Sequence, residues 1–382
     1  MVKSNVKDDL LFLNGLRGLA SFYVLAGHAR WLLWEGHSGF LQNSDKYNLL
    51  EKLQVYLLSF FRYGHEMVLF FFVLSGFVIH LSYARNLAVG EKIRSFDLIP
   101  YVKRRFKRIY PPFLFAIIFG FVLDNIGKGL GYSIYNNATP NVLINNNIII
   151  DFNLSNLIGN LLFFQNTYVP IWGSNGPLWS LKFEWWFYMI YPILYMINKK
   201  SVWLSAISIF LISFFLISGF IDFKIKLVND ILGSLFSWWL GTFLADIYVK
   251  RVSLSLICFV PFVFLFSIIP FLDKSFSIYK DLISSLAFFG LLSYFLYLNE
   301  NKRKMNVLRK LNWLGSCSYT LYVIHFPILV FINGFVLSKS ENAMPQNLYY
   351  FWFAIIFCTF FAYCIHFFTE KNFLNKKIKI SN

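Results

Sequence analysis

Charge is what this sequence has least of. Asp, Glu, Lys and Arg make up 14% of its 382 residues, against roughly a quarter in an average soluble domain. The shortage is one-sided, with 19 acidic residues against 35 basic ones. Cysteine is also sparse. Cys258, Cys317, Cys358 and Cys364 fall in apolar runs without C-x-x-C spacing. They read as small buried hydrophobes, which argues against a zinc or thiol-redox site. His65-Glu66 does not open a zinc-binding H-E-x-x-H helix, because position 69 is leucine. Gly127, Gly129 and Gly131 lack the strand-turn-helix setting of a nucleotide fingerprint, and no nucleophile elbow occurs. No metal is therefore expected.

What fills the chain is apolar. Hydrophobic residues reach 57%, with 47 phenylalanines and 11 tryptophans, and the mean hydropathy is +0.56. Aromatics in such numbers suit a lipid-facing surface with interfacial belts. No short apolar run with a small-residue cleavage site precedes the first segment, so residues 10–33 read as a true span. About 20 apolar residues are needed to cross the hydrocarbon core. On that criterion the spans are 10–33, 66–84, 110–126, 177–198, 201–219, 229–249, 252–271, 278–298, 314–337 and 347–369. The expected fold is thus a single all-α membrane domain over residues 1–382, with about ten transmembrane helices. The run at 156–164 is too short to span and reads as re-entrant or interfacial.

The basic residues assign the sides. With the N-terminus inside, twenty-three Lys and Arg fall in cytoplasmic segments and nine in external ones. That asymmetry favours an even number of spans with both termini cytoplasmic. Topology thereby accounts for most of the net charge of +16, and no nucleic-acid partner is needed. The long external stretch 127–176 is rich in asparagine and exceeds a simple connector, as functional loops do.

Three constellations carry chemistry. Arg17 and His28 share the first span, and eleven helical steps return His28 to within about 20° of Arg17, about 16 Å along the axis. An ionisable pair at membrane depth marks a substrate path or internal site, and an arginine snorkelling to the interface beside a packed histidine fits the pair equally well. The second is Lys103-Arg104-Arg105-Phe106-Lys107-Arg108-Ile109-Tyr110-Pro111-Pro112. It can act as a topology signal or as a phosphate clamp, with Arg105 and Arg108 on one helix face. The third is Leu178-Trp179-Ser180-Leu181-Lys182-Phe183-Glu184, which puts Glu184 about 12 Å into its span. His28 lies about 8 Å in from the same side, so a His28–Glu184 hydrogen bond is open, as is pairing of Glu184 with Lys182. His325, mid-span, suits a packed histidine and a catalytic one equally. Ser75-Gly76 reads as a site of close helix packing.

Together these motifs resemble the acyltransferase-3 family of bacterial membrane enzymes. The resemblance runs from Asn14-Gly15-Leu16-Arg17 through His28, then Phe71–Phe77, Arg104–Pro111, Leu178–Leu181 with Glu184 and Tyr188, Ser318–Pro327 and Glu370-Lys371. It implies transfer of an acyl group, usually acetyl, from cytoplasmic acyl-CoA to a hydroxyl of an extracytoplasmic glycan or lipid-linked saccharide. Acyl-CoA is then a donor substrate, with no permanently bound cofactor, and the setting is the bacterial inner membrane. By motif, His28 and its partner Arg17 correspond to catalytic positions and Arg105 and Arg108 to the acyl-donor signature, with Arg104 beside them; Glu184 is the candidate orienting partner of His28. Lys182, Trp185 and Asn372 depart from the common pattern. Many relatives carry an added hydrolase-like domain, and none is expected here. The competing class is a transporter or flippase with Arg17, His28 and Glu184 lining its path, which the lack of inverted repeats with broken helices disfavours.

Overall fold

A computed structural model of the chain describes residues 10–89, 96–272, 279–303 and 305–374. Lys3, Lys7, Lys92, Arg94, Lys274, Lys304, Lys376, Lys377 and Lys379, which enter the charge count, lie outside the described residues. The fold is helical throughout, and among the described residues strand pairing is limited to one isolated bridge, Gln165 with Val169. The long helices are α1 (Leu11–Leu32), α2 (Gly64–Ala88), α3 (Leu98–Gly129), α4 (Trp179–Lys200), α5 (Val202–Ile217), α6 (Lys226–Tyr248), α7 (Lys280–Glu300), α8 (Ser318–Lys339) and α9 (Tyr349–His366).

Among the described residues, six helices are long and apolar enough to cross a membrane: α2, α3, α6, α7, α8, and α9 with its continuation to Lys371. The other expected spans have physical reasons for falling short of that standard. Helices α1 and α4 reach 22 residues each, but polar and charged side chains such as Arg17, Lys182 and Glu184 dilute their hydropathy. Helix α5 is apolar but only 16 residues long. The segment expected at 252–271 winds as 3-10 helix over Leu256–Ser267 and Ile269–Phe271. Pro261 and Pro270 each remove a backbone donor there. The short helix Leu154–Leu161 fits the non-spanning reading of that region.

The chain divides into two compact units interleaved in sequence. Unit one takes the described parts of Met1–Leu13, His65–Arg105 and Leu181–Lys310, and unit two takes those of Asn14–Gly64, Phe106–Ser180 and Leu311–Asn382. In unit one, α2 and α6 meet backbone to backbone. A Cβ on Gly76 would lie 2.0 Å from the Trp238 carbonyl oxygen, and one on Gly241 would lie 1.8 Å from that of Val73. The close-packing reading of Ser75-Gly76 is thus met at Gly76. Beneath this contact, Asp246 accepts hydrogen bonds from His80 Nε2 (3.1 Å), Asn198 Nδ2 (2.8 Å) and Arg251 Nη1 (2.5 Å).

Unit two is built on α8, of which the most apolar stretch is 89% buried, against 33% for α9. The difference makes α8 the core helix and leaves α9 with Phe353, Ile356 and Phe360 exposed, as a lipid-facing helix needs. Cys317 and Cys358 are buried, whereas Cys258 and Cys364 are exposed, so the expectation of four buried cysteines holds for two. The stretch 127–176 is structured, with short helices at Ser133–Asn136, Val142–Asn147 and Leu154–Leu161.

Candidate active site

In unit two, α1 and α8 run in the same direction with a continuous register. Asn14 Nδ2 donates to Asn312 Oδ1 (2.9 Å) just ahead of α8, Arg17 Nε to Ser318 Oγ (2.8 Å), and Arg17 Nη2 to the Gly315 carbonyl (2.6 Å). Further along, His28 meets His325, and Asn333 Nδ2 donates to the Leu32 carbonyl (2.6 Å). The register depends on glycine. A Cβ on Gly315 would sit 2.0 Å from the Asn14 carbonyl oxygen, and one on Gly18 would sit 2.7 Å from the Gly315 nitrogen. Glu370 fixes the start of α8, accepting from the Thr320 backbone N–H (2.8 Å) and hydroxyl (2.7 Å). A carboxylate there satisfies a donor that the first helical turn leaves unpaired and complements the helix dipole.

His28 Nδ1 lies 2.8 Å from His325 Nε2, with the rings nearly coplanar at 14°. On the far side, His325 Nδ1 sits 2.8 Å from the Tyr322 carbonyl oxygen and 3.1 Å from that of Leu321. Carbonyls only accept, so His325 Nδ1 carries a proton and, in the neutral ring, Nε2 is an acceptor. The His28–His325 bond then requires the proton on His28 Nδ1. That leaves the lone pair of His28 on Nε2, which has no hydrogen-bond partner among the described residues. The ring is half-buried, packed edge-on against Phe326 at 5.0 Å. His28 is thereby held with Nδ1 toward His325 and Nε2 away from it.

The turn leading into α4 closes over the same part of α8. Pro327 has no N–H, so the Val323 carbonyl loses its helical partner four residues on. Asn175 Nδ2 donates to it instead, at 2.8 Å. Gln165 Nε2 donates to the Leu178 carbonyl (2.9 Å), and Tyr322, hydrogen-bonded to Ser180 (2.7 Å), donates to that of Pro177 (3.1 Å). Ser174 donates from Oγ to Asp124 Oδ1 (2.7 Å) and from its backbone N–H to Oδ2 (2.8 Å). The turn is therefore pinned at both ends.

Glu184 and Arg105 belong to unit one and share one neighbour there. Tyr188 donates its hydroxyl to Glu184 Oε1 and contacts Ser75 Oγ at 3.0 Å, while Trp238 Nε1 donates to Ser75 (3.4 Å). The donors line up, from Trp238 through Ser75 and Tyr188, and end on the carboxylate. The Arg105 guanidinium lies 5.2 Å from the Tyr101 ring centre and 5.4 Å from that of Tyr188. These distances suit cation–π attraction. Arg105 Nε is buried without a hydrogen-bond partner among the described residues. Arg104 is exposed, with Nη2 3.5 Å from the Tyr83 hydroxyl. The basic run lies inside the continuous helix α3, so Arg105 and Arg108 are three helical positions apart. Lys182 pairs with Asp230 at 2.9 Å, not with Glu184.

Of the residues singled out by sequence, Arg17, His28 and Arg108 fall in unit two, and Glu184, Arg104 and Arg105 in unit one. Within its unit, His28 is joined by His325, which sequence left open, and Arg17 by Ser318, which it did not single out. One signal was present: His325 lies seven residues, about two turns, beyond Ser318, so the pair repeats on α8 the spacing logic of Arg17 and His28.

Six helices long and apolar enough to cross a membrane, among the described residues, suit a polytopic membrane protein. The chain belongs to the acyltransferase-3 family, whose acyltransferase domain matches residues 10–367. No curated protein and no solved structure matches it. It is a membrane acyltransferase.

Proposed function

We propose that this enzyme moves an acetyl group from cytoplasmic acetyl-CoA to a hydroxyl of an extracytoplasmic glycan, in a bacterial inner membrane. The observation that carries this reading is the His28–His325 pair, which leaves a basic lone pair on His28 Nε2. As the acceptor oxygen attacks the thioester carbonyl, His28 Nε2 takes its proton. When the tetrahedral intermediate collapses, the carbon–sulfur bond breaks and the imidazolium returns that proton to the departing thiolate. His325 is a positioning residue that holds the reactive tautomer.

Arg105 and Arg108, with Arg104 beside them, form the donor entrance. Guanidinium forks engage phosphate bidentately, and the Arg105 guanidinium lies within cation–π distance of the Tyr101 and Tyr188 rings. Arg17 lies about 16 Å along α1 from His28, and the pantetheine arm would lie along that stretch of the helix. Glu184, which accepts from Tyr188, is assigned to the acceptor in this reading. The parallel course of α1 and α8 supports the alternating topology, in which the first and ninth spans run the same way. Donor and acceptor then enter from opposite faces.

The test is single-turnover transfer by purified protein in sealed proteoliposomes. Acetyl-CoA supplied on the cytoplasmic face and glycan on the other should give product. Transfer with both on one face would refute the through-membrane route, and failure to consume acetyl-CoA would refute the donor.

A further inference from the structure

Two buried amide side chains that hold the turn leading into α4 are half-used. Asn175 is 3% exposed and Gln165 0%. Each spends its NH2 group on a backbone carbonyl, Asn175 on Val323 and Gln165 on Leu178. Those carbonyls cannot donate, so the orientation of each amide is forced and its oxygen faces away. Asn175 Oδ1 and Gln165 Oε1 are both buried with no donor among the described residues. An acceptor left unpaired in that position is costly, because it has lost its water without gaining a donor. Both serve the turn Gly176–Leu178, whose ends are about 4 Å apart at the rise of a 3-10 helix. Asn175 is bonded to the helical turn just before Pro327, the same part of α8 that carries His325.

We infer that Asn175 Oδ1 and Gln165 Oε1 bind hydrogen-bond donors of the incoming substrate, namely hydroxyl groups of the acceptor saccharide. Two unpaired acceptor oxygens, one on the residue that opens the turn and one on a residue bonded to its end, select a ligand with two donors, as a polyol has. The pantetheine arm, with its amide N–H groups, has the same chemistry. The saccharide is favoured because both residues come from the stretch that the charge count places outside. The inference rests on the proposed reaction for the direction of entry only.

The test uses methyl hexopyranosides as probes, with their monodeoxy series, on the full-length enzyme. In acetyl-CoA-dependent transfer, Asn175→Ala and Gln165→Met should each raise the apparent KM for the glycoside about tenfold, the size of one hydrogen bond. KM for acetyl-CoA should stay within about twofold. Asn333→Ala, which also removes a half-used amide but lies about 12 Å along α8 from His325, should change neither. A rise in the acetyl-CoA KM alone would reassign the oxygens to the pantetheine arm and overturn the inference, as would no change in either. Should the variants fail to fold, the wild type suffices: removal of two particular hydroxyls should each weaken the glycoside about tenfold, and uniform tolerance of all deoxy analogues overturns the inference. Glycoside binding is also read without turnover, as a rise in melting temperature with no acetyl-CoA present. A wild-type rise that the variants lose supports the site even if no transfer occurs, which would sink only the donor assignment. Absence of a wild-type rise with every probe overturns the site, whatever the transfer assay gives.

Discussion

His80 in unit one and His28 in unit two are both helix-borne histidines with a hydrogen-bonded partner, yet their surroundings differ in kind. His80 is fully buried and both ring nitrogens are occupied, Nε2 by Asp246 and Nδ1 by the Tyr191 hydroxyl at 2.8 Å. Asp246 in turn takes donors from Asn198 and Arg251. Every polar group in that network is spent, as a buried structural network requires. The His28 chain is open at one end. It begins on the carbonyls of Leu321 and Tyr322, passes through His325 and ends at Nε2 of His28. A closed network holds helices together, whereas an open one can exchange a proton. Ionisable groups at membrane depth therefore divide by how completely their neighbours use them.

The comparison is broken most sharply by removing the base. His28→Ala should lower transfer by about 10²–10⁴-fold while membrane expression and acyl-CoA binding persist. Near-normal turnover would put His28 in the same structural class as His80. The next effect in size concerns His325. His325→Ala removes the acceptor that fixes the His28 tautomer and should cost on the order of 10²-fold in kcat. His325→Gln, whose amide oxygen can accept from His28 Nδ1, should recover part of it. Equal loss in both variants would mean that His325 does more than position.

Unit one should respond in the opposite currency. Asp246→Ala strands the Arg251 charge and the His80 ring, and should destabilise the protein by about 3–5 kcal/mol. Turnover per folded molecule should change by no more than a few-fold, read by thermal unfolding alongside initial rates. A specific loss of kcat with unchanged stability would make the His80 network catalytic. The smallest effect is expected at the donor entrance. Arg105→Lys keeps the charge and loses the bidentate fork, so KM for acetyl-CoA should rise several-fold with kcat unchanged. An unchanged KM would reduce the basic run to a topology signal.

Much of this was legible in the sequence. Composition established the membrane class, and the motifs from Arg17 to Glu370 pointed to the family. The basic run was correctly placed at the head of a long apolar helix, which the structure extends back to Leu98. What escaped were contacts between distant segments. His28 and His325 are 297 residues apart, and helical periodicity reports a face without naming the helix that covers it. Gly315 looks unremarkable in sequence, since its value lies in the Asn14 carbonyl that it admits. The role of Asn175 follows from Pro327, a residue that orphans a carbonyl on another helix. Lys182, an oddity within its motif, is accounted for by Asp230 at the start of α6. The 3-10 winding of 256–267 could have been suspected from its prolines, but apolar length alone suggested a span.

The central claim is that His28 rests as a neutral base with its proton on Nδ1 and its lone pair on Nε2. Nitrogen-15 NMR of histidine-labelled enzyme tests it directly, since the chain holds only six histidines and His28→Gln and His325→Gln identify two of the signal sets. At neutral pH both His28 and His325 should show a protonated Nδ1 and an unprotonated Nε2. A His28 signal with the proton on Nε2, or with both nitrogens protonated, would contradict the account.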